Sequence, residues 1–203
     1  MSEAAPRIAA IVLAAGRSTR MGAVNKLLAD LGGRPMVRRV VDAALASRAR
    51  PVLVVTGHEA ARVAAALTGL DVTLVANPDY ATGLASSVKA GVRALPAECD
   101  GALVLLGDMP RIAPEHLDRL MLAFAAEQGT AIVVPTHKGQ QGNPVLWPAE
   151  RFPELLQLEG DAGAKRLIVD HAGQVRGIDL GTDAVFADVD TPEALERVRD
   201  KDV

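Results

Sequence analysis

The residues best suited to chemistry cluster near the start of the 203-residue chain, in Ala14-Ala15-Gly16-Arg17-Ser18-Thr19-Arg20-Met21-Gly22 and in Asn25-Lys26-Leu27-Leu28 just beyond. Small residues let backbone N–H groups approach an anion closely, and Arg17, Arg20 and Lys26 place three cations in the same stretch. Amides and cations together suit a polyphosphate tail. The stretch is not a P-loop, because no Lys-Ser or Lys-Thr follows a glycine at the required spacing. It is not a dinucleotide fingerprint either, since no glycine stands two residues after Gly16. A Gly-rich turn with solvated basic residues is the competing reading, and Arg17 fits it equally well.

Acidic candidates lie far downstream. Asp108, in Gly107-Asp108-Met109-Pro110, directly follows the apolar run Ala102-Leu103-Val104-Leu105-Leu106. A carboxylate at the carboxyl end of a strand is well placed for a metal, and Mg²⁺ takes one or two carboxylates plus substrate phosphates and water. A turn-capping aspartate is the alternative. Asp188 and Asp190 flank Val189 and point the same way if the segment is extended. Asp190 is the first choice and Asp188 the second; for Asp190 the alternative is a role with Thr191 in capping the last helix. Gly83 and Ser86-Ser87 open a helix whose first turn presents free N–H groups, with ordinary serine capping as the other reading. His58, His116 and His171 have no partner at ligand spacing and read as surface or capping residues. Cys99 is the only cysteine, which excludes an internal disulfide and a Cys-rich zinc site. Flanked by Glu98 and Asp100, it lacks the positive surroundings of a reactive thiolate.

The elements that must position these residues alternate along the chain. Short apolar runs at 8–13, 51–55, 72–75, 102–106 and 131–134 read as strands buried on both faces. Between them lie helical stripes: Val37, Val40, Val41, Ala44 and Leu45; Leu84, Val88, Val92 and Leu95; Leu117, Leu120, Met121 and Phe124. This alternation implies βαβ units and a mainly parallel sheet with helices on both sides. Ligands of such sheets bind beyond the carboxyl ends of the strands, where the candidates above fall. The last third is less regular. Residues 142–147 read as a turn into a short strand, and 175–180 with 185–187 are expected to join it in a small antiparallel flap at the sheet edge. Thr191-Pro192 opens a final helix. With no repeat or linker, residues 1–203 read as one domain with 1–7 as an N-terminal tail.

Composition narrows the classes. Hydrophobic residues at 49% and charged residues at 23% exclude a disordered or fibrous chain. A net charge of -3 argues against nucleic acid or a membrane surface as partner, and 2% aromatics are too few for base-stacking platforms on single strands. The longest apolar run falls far short of the ~20 residues of a membrane span, and the polar start is unlike a signal peptide. The cytoplasm is the expected location.

At this point the sequence resembles a known family. Leu-Ala-Ala-Gly-Arg-Ser-Thr-Arg-Met-Gly, residues 13–22, with Asn25-Lys26 after it, is similar to the MobA-like nucleotidyltransferases that act on molybdenum cofactor, most of all their cytidylyltransferase branch. Further blocks follow at 77–88, 107–110, 142–146, 160–164 and 188–193, so the resemblance covers nearly the whole chain. It implies a Rossmann-like three-layer α/β/α fold of the nucleotide-diphospho-sugar transferase type. It implies transfer of CMP from CTP to the terminal phosphate of molybdenum-pterin cofactor, with release of diphosphate and use of Mg²⁺ or Mn²⁺.

Carried over residue by residue, the resemblance assigns Leu13, Ala14, Ala15 and Gly16 to the nucleotide. Arg20 and Lys26 go to the triphosphate and to charge developing on the α-phosphate, making them catalytic with Asp108. Gly83, Ser86 and Ser87 would read the pyrimidine edge, and Asp108 with Asp190 would hold the metal. Asn143, Pro144, Asp161 and Gly163 would lie over the second substrate, the pterin. The cytidylyl branch tends to show Ala-Ala-Gly where the guanylyl branch shows Ala-Gly-Gly, so Ala15 bears on base choice. A client molybdenum hydroxylase is an implied partner. The alternatives are guanylyl transfer to the same cofactor, nucleotidyl transfer to a sugar or polyol phosphate, and a non-catalytic pterin carrier.

Overall fold

The computed structural model describes residues 5–18, 25–160 and 164–201. In chain order it contains β1 (Ile8–Ala14), β2 (Asp30–Leu31), β3 (Arg34–Pro35), α1 (Met36–Ala46), β4 (Val52–Thr56), α2 (Ala60–Ala66) and β5 (Thr73–Ala76). Then come α3 (Leu84–Arg93), β6 (Gly101–Leu106), α4 (Pro114–Ala126), β7 (Ile132–His137), β8 (Gln140–Gln141) and β9 (Val145–Pro148). The chain continues with α5 (Phe152–Leu155), α6 (Lys165–Asp170), β10 (Val175–Asp179) and α7 (Pro192–Lys201).

The main sheet runs β10-β7-β9-β6-β1-β4-β5, with β8 paired to β7. Strand β1 pairs in parallel with both β4 and β6, β4 with β5, and β10 with β7. Only β8 and β9 run against this direction. Alternation within each strand divides the core between two faces. Ile8, Ala10, Val12 and Ala14 of β1 pack on one side with α1 and α4, through Val37, Val40, Val41, Leu117, Leu120 and Phe124. Ile11 and Leu13 pack on the other with Ala85, Val88 and Val92 of α3. Every residue of β1 is buried, which is why its sequence reads as an unbroken apolar run rather than an alternating one. The result is a three-layer α/β/α arrangement.

The last third departs from the sequence expectation in its placement. Strand β9 is no edge flap: it is inserted between β6 and β7, with all four residues buried. Strand β10 is the edge, and it is parallel to β7. Residues Asp183–Phe186 form a 3-10 turn rather than a strand. The small antiparallel elements are the β7–β8 hairpin, Thr136 opposite Gln141 and His137 opposite Gln140, and a separate β2–β3 pair. The chain reverses at Lys138-Gly139, both with positive φ, and Gly142-Asn143-Pro144 lead on from β8 into β9 in the same direction; a local turn cannot specify which strands the reversed segment lies between. The final helix begins as expected, with the Ala194 N–H donating to Thr191 Oγ1 at 3.2 Å. Among the described residues, no helix is long and apolar enough to cross a membrane.

His116 is a capping residue. Its Nδ1 accepts from the Ala113 N–H at 3.1 Å at the start of α4, which requires the neutral ring. Burial, helped by the nearby Arg119 charge, holds its pKa below the ordinary 6.5. The unfolded chain therefore binds this proton more readily than the folded one. The stability it contributes is full above pH 6.5 and is lost as pH falls through the lower folded value. We expect the melting temperature to drop on acidification from pH 6.5 down to the folded value, and to drop less in His116→Gln, whose amide oxygen still accepts the cap bond without titrating. Parallel melting curves of both proteins across this range check it.

Candidate functional site

Strands β1 and β6 are neighbours, but the chain leaves β1 toward β4 on the opposite side, so a crevice opens at their carboxyl ends. Pairing continues past β6, where the Gly107 N–H donates to the Leu13 carbonyl at 3.0 Å. A Cβ on Gly107 would stand 2.9 Å from that oxygen, so only glycine lets the two strand ends close together. Asp108 is thereby delivered to the mouth of the crevice beside the loop that follows β1.

Lys26 reaches the same point from a separate anchor. Asn25 is buried, and its Oδ1 accepts from the Leu27 N–H at 3.1 Å, capping a 3-10 turn over Lys26–Leu28. Leu27 is buried in the core, and Ser18 Oγ accepts from the Lys26 N–H at 3.2 Å. Asp190 arrives from the end of the chain. The Val189 N–H donates to the Asp108 carbonyl at 3.0 Å, and Val189 is itself buried against Leu31, Met36 and Leu195.

These anchors bring three charges together. Lys26 Nζ donates to Asp108 Oδ2 at 2.5 Å and to Asp190 Oδ1 at 2.5 Å. Burial opposes the Lys26 ammonium, but the charge and hydrogen bond of Asp108, and then those of Asp190, outweigh it and raise the pKa above the ordinary lysine value. Burial raises the Asp108 carboxyl above the usual range, against the pull of the Lys26 charge and hydrogen bond. The other carboxylate oxygen, Asp108 Oδ1, is buried with no hydrogen-bond partner among the described residues, an expensive condition unless a cation or donor arrives. Two converging carboxylates with one orphaned oxygen fit the donor set of a small hard cation completed by phosphate oxygens and water. No group of three or more His, Cys, Asp or Glu side chains forms a complete protein cage among the described residues.

A cleft of about 390 Å³ opens beside this cluster. Of the residues singled out in the sequence, Leu13, Ala15, Gly16, Lys26, Gly83, Ser87, Asp108 and Asp190 line it. Arg17, Ser18, Tyr80, Ala81, Leu84 and Leu106 line it as well. Four expected residues, and the alternative Asp188, do not. The Ala14 side chain is turned into the core. Ser86 Oγ donates to the Gly83 carbonyl at 2.8 Å and accepts from Asn77 Nδ2 at 2.8 Å, so it holds the start of α3 rather than the cleft wall. Asn143 bonds through its backbone N–H to the Val185 carbonyl at 3.0 Å, and Pro144 is buried beside it. Asp188, the second choice beside Asp190, is exposed. Arg20, Asp161 and Gly163 lie outside the described residues.

Sequence reasoning did not single out Tyr80, Asn77 or Ser18 as site-forming. Their signals were present only as members of longer blocks, since nothing local distinguishes a tyrosine that borders a cleft from one that packs elsewhere.

The fold and site define a nucleotidyltransferase architecture, and comparison with known proteins agrees. Residues 10–175 match the MobA-like NTP transferase domain, and the chain belongs to that family. The purine catabolism protein PucB of Bacillus subtilis (strain 168) is 34% identical over 214 residues, covering 96% of this chain and 97% of PucB. A probable molybdenum cofactor guanylyltransferase of Natronomonas pharaonis is 32% identical over 201 residues, covering 94% and 96%. The chain spans about a quarter of the length of other relatives, the bifunctional GlmU proteins of Micrococcus luteus (27%) and Kineococcus radiotolerans (26%). Among solved structures, a nucleotidyl transferase from Methanothermobacter thermautotroptrophicus superposes with a TM-score of 0.84 at 26% identity, covering 97% of each chain. Rv0371C of Mycobacterium tuberculosis H37Rv, solved in complex with manganese, superposes at 0.79 with 28% identity, covering 96% of this chain and 98% of its own. The fold is that of the nucleotide-diphospho-sugar transferases.

Replacing Lys26 tests the charge cluster directly. In Lys26→Met the two carboxylates face one another without their shared counter-ion. Breaking a buried pair costs about 3–5 kcal/mol, and because Asp190 is about a third exposed we expect a loss nearer 2 kcal/mol in metal-free denaturant unfolding. The same variant should bind Mn²⁺ more tightly than wild type in the absence of nucleotide, read by titration calorimetry. Equal affinity would mean that Lys26 and a cation do not share these oxygens.

Proposed function

We propose that the chain is a molybdenum cofactor cytidylyltransferase: it transfers CMP from CTP to the terminal phosphate of molybdenum-pterin cofactor and releases diphosphate. The observation that carries the reading is the convergence of Lys26, Asp108 and Asp190 at one end of a cleft walled by the loop after β1. Backbone amides beside Gly16, with Lys26 and Arg20, bind and align the triphosphate. Alignment and charge stabilisation are most of what such a transfer needs. The acceptor phosphate is already an anionic nucleophile, so no general base is required, and the histidines of the chain need play no part.

A divalent cation held by Asp108 and Asp190 would offset the charge of the phosphate tail. The orphaned Asp108 Oδ1 supports this, as does the manganese in Rv0371C. The choice of Mg²⁺ or Mn²⁺ is part of the proposal. With a cation on those carboxylates, the Lys26 ammonium would serve the phosphate tail. Ala15 lines the cleft, and its methyl group narrows the space for a purine, which favours CTP. A second reading, guanylyl transfer to the same acceptor, is favoured by the probable molybdenum cofactor guanylyltransferase among the relatives. Delivery of the product to a client molybdenum hydroxylase, in the cytoplasm, belongs to the first reading.

Diphosphate release measured with each of the four ribonucleoside triphosphates, with and without molybdenum-pterin cofactor, decides between them. CTP-driven, pterin-dependent release is expected. Release with GTP alone selects the second reading, and a tight pterin complex without release selects a carrier. Asp108→Asn keeps the shape of the side chain and should lower turnover about 10²–10³-fold with an unchanged circular dichroism spectrum. Near-normal turnover of this variant at saturating Mg²⁺ overturns the metal role.

A further inference from the structure

The charged side chains of the cleft have a role in the proposed function, but the lining also includes an aromatic side chain to which no role has been given. The chain has one Trp, one Tyr and three Phe. Trp147 and Phe124 are sealed in the core, and Tyr80 is the one aromatic lining the cleft among the described residues.

Its seat is built with care. A Cβ on Gly57, just past β4, would stand 2.6 Å from Tyr80 Cβ, 2.7 Å from Tyr80 Cγ and 2.9 Å from the Ala15 methyl. Glycine at 57 is therefore what lets the tyrosine rest on the end of β4 beside Ala15. The His58 ring lies on another side, 6.1 Å away between centroids and tilted by 47°. The 3-10 turn that carries Tyr80 is also fixed from below. The Asn77 N–H donates to the Thr56 carbonyl at 2.8 Å, and Asn77 Oδ1 accepts from the Asp79 N–H at 3.0 Å. Asn77 Nδ2 donates to Ser86 Oγ and to Ser87 Oγ, at 2.8 and 3.0 Å. One buried asparagine, through its backbone N–H and its side-chain amide, thus locks together β4, the Tyr80 turn and the first turn of α3.

The sheet order gives the spacing. Asp108 follows β6, Ala15 follows β1 and Gly57 follows β4, and these three strands are consecutive neighbours. At ~4.8 Å between strands, the end of β4, on which Tyr80 is seated, is ~10 Å from the end of β6, which carries Asp108. That is about the distance from the phosphates of a nucleotide to its base. A nucleobase has an apolar face and a polar edge. The cleft offers an aromatic ring for the face, with Gly83 and Ser87 alongside for the edge.

We infer that Tyr80 binds the nucleobase by covering its face, and that Gly57 is a positioning residue that seats the ring for this purpose. The inference rests on the proposed nucleotide reading of the cleft and adds the residue that reads the base independently of the phosphates.

Calorimetric binding of CTP and of inorganic tripolyphosphate, both with Mg²⁺, to wild type, Tyr80→Ala, Tyr80→Phe and Gly57→Ala tests it. Loss of stacking on one base should weaken CTP about tenfold or more in Tyr80→Ala, leave tripolyphosphate unchanged, and be restored in Tyr80→Phe. Gly57→Ala, which must displace the ring, should weaken CTP while sparing tripolyphosphate. Unchanged CTP affinity in Tyr80→Ala overturns the inference and leaves the nucleotide reading standing. So does an equal loss for both ligands, which would show a structural role. Wild type that binds tripolyphosphate as tightly as CTP also overturns it, while binding of neither overturns the nucleotide reading and this inference together.

Discussion

Lys26 sits between Asp108 and Asp190, and the functional end of the molecule is organised around that contact. The two aspartates stand 82 and 164 residues beyond the lysine, so a single ammonium ties together the beginning, middle and end of the chain. Each group alone would be expensive to bury. Two carboxylates without a cation repel one another, and an ammonium without a carboxylate loses its water for nothing. Together they leave a small cluster with one formal negative charge in excess. That excess, and the unpartnered oxygen of Asp108, are what the proposed divalent cation would satisfy.

The surrounding structure is arranged to keep the three groups in place without using them as its own support. Buried side chains hold each arm: Leu27 in the main core beneath Lys26, and Val189 in a separate small core with Leu31, Met36 and Leu195. Asp108 is held by the strand end itself, through the pairing of Gly107 with Leu13. A site carried on strand ends and short capped turns retains its geometry better than one on long loops. Thr191 takes the capping of α7, which leaves the Asp190 carboxylate available to Lys26.

The cleft is polarised from one end to the other. Charges gather where β6 ends, small residues and amides follow where β1 ends, and an aromatic ring rests where β4 ends. The nucleotide we propose would meet these three environments in that order, phosphate tail first and base last. The order is a direct consequence of strand adjacency, since neighbouring strand ends become neighbouring subsites. This is why family members with different reactions can share one sheet: changes at a strand end alter one subsite and leave the others intact.

Much of this was legible in the residues alone. Apolar runs buried on both faces announced the central strands, and helical stripes announced α1, α3 and α4, because burial on one or both faces imposes its own period on a sequence. Asp108 directly after a strand, and Lys26 after a run of small residues, pointed to the crevice for the same local reason. What only the tertiary structure decided depends on contacts between distant segments. The backbone bond from Val189 to Asp108 is what brings the Asp190 carboxylate to Lys26 and leaves Asp188 exposed, a placement the sequence could rank but not enforce. Insertion of β9 between β6 and β7 turned an expected edge flap into an interior strand, because a turn sets direction but leaves the choice of neighbours to the whole sheet. Ser86 and Ser87 are adjacent and identical in kind, yet only Ser87 borders the cleft, since successive positions on a helix face different ways. Tyr80 acquired its place from Gly57 and Ala15, whose proximity arises only when β1 and β4 pair.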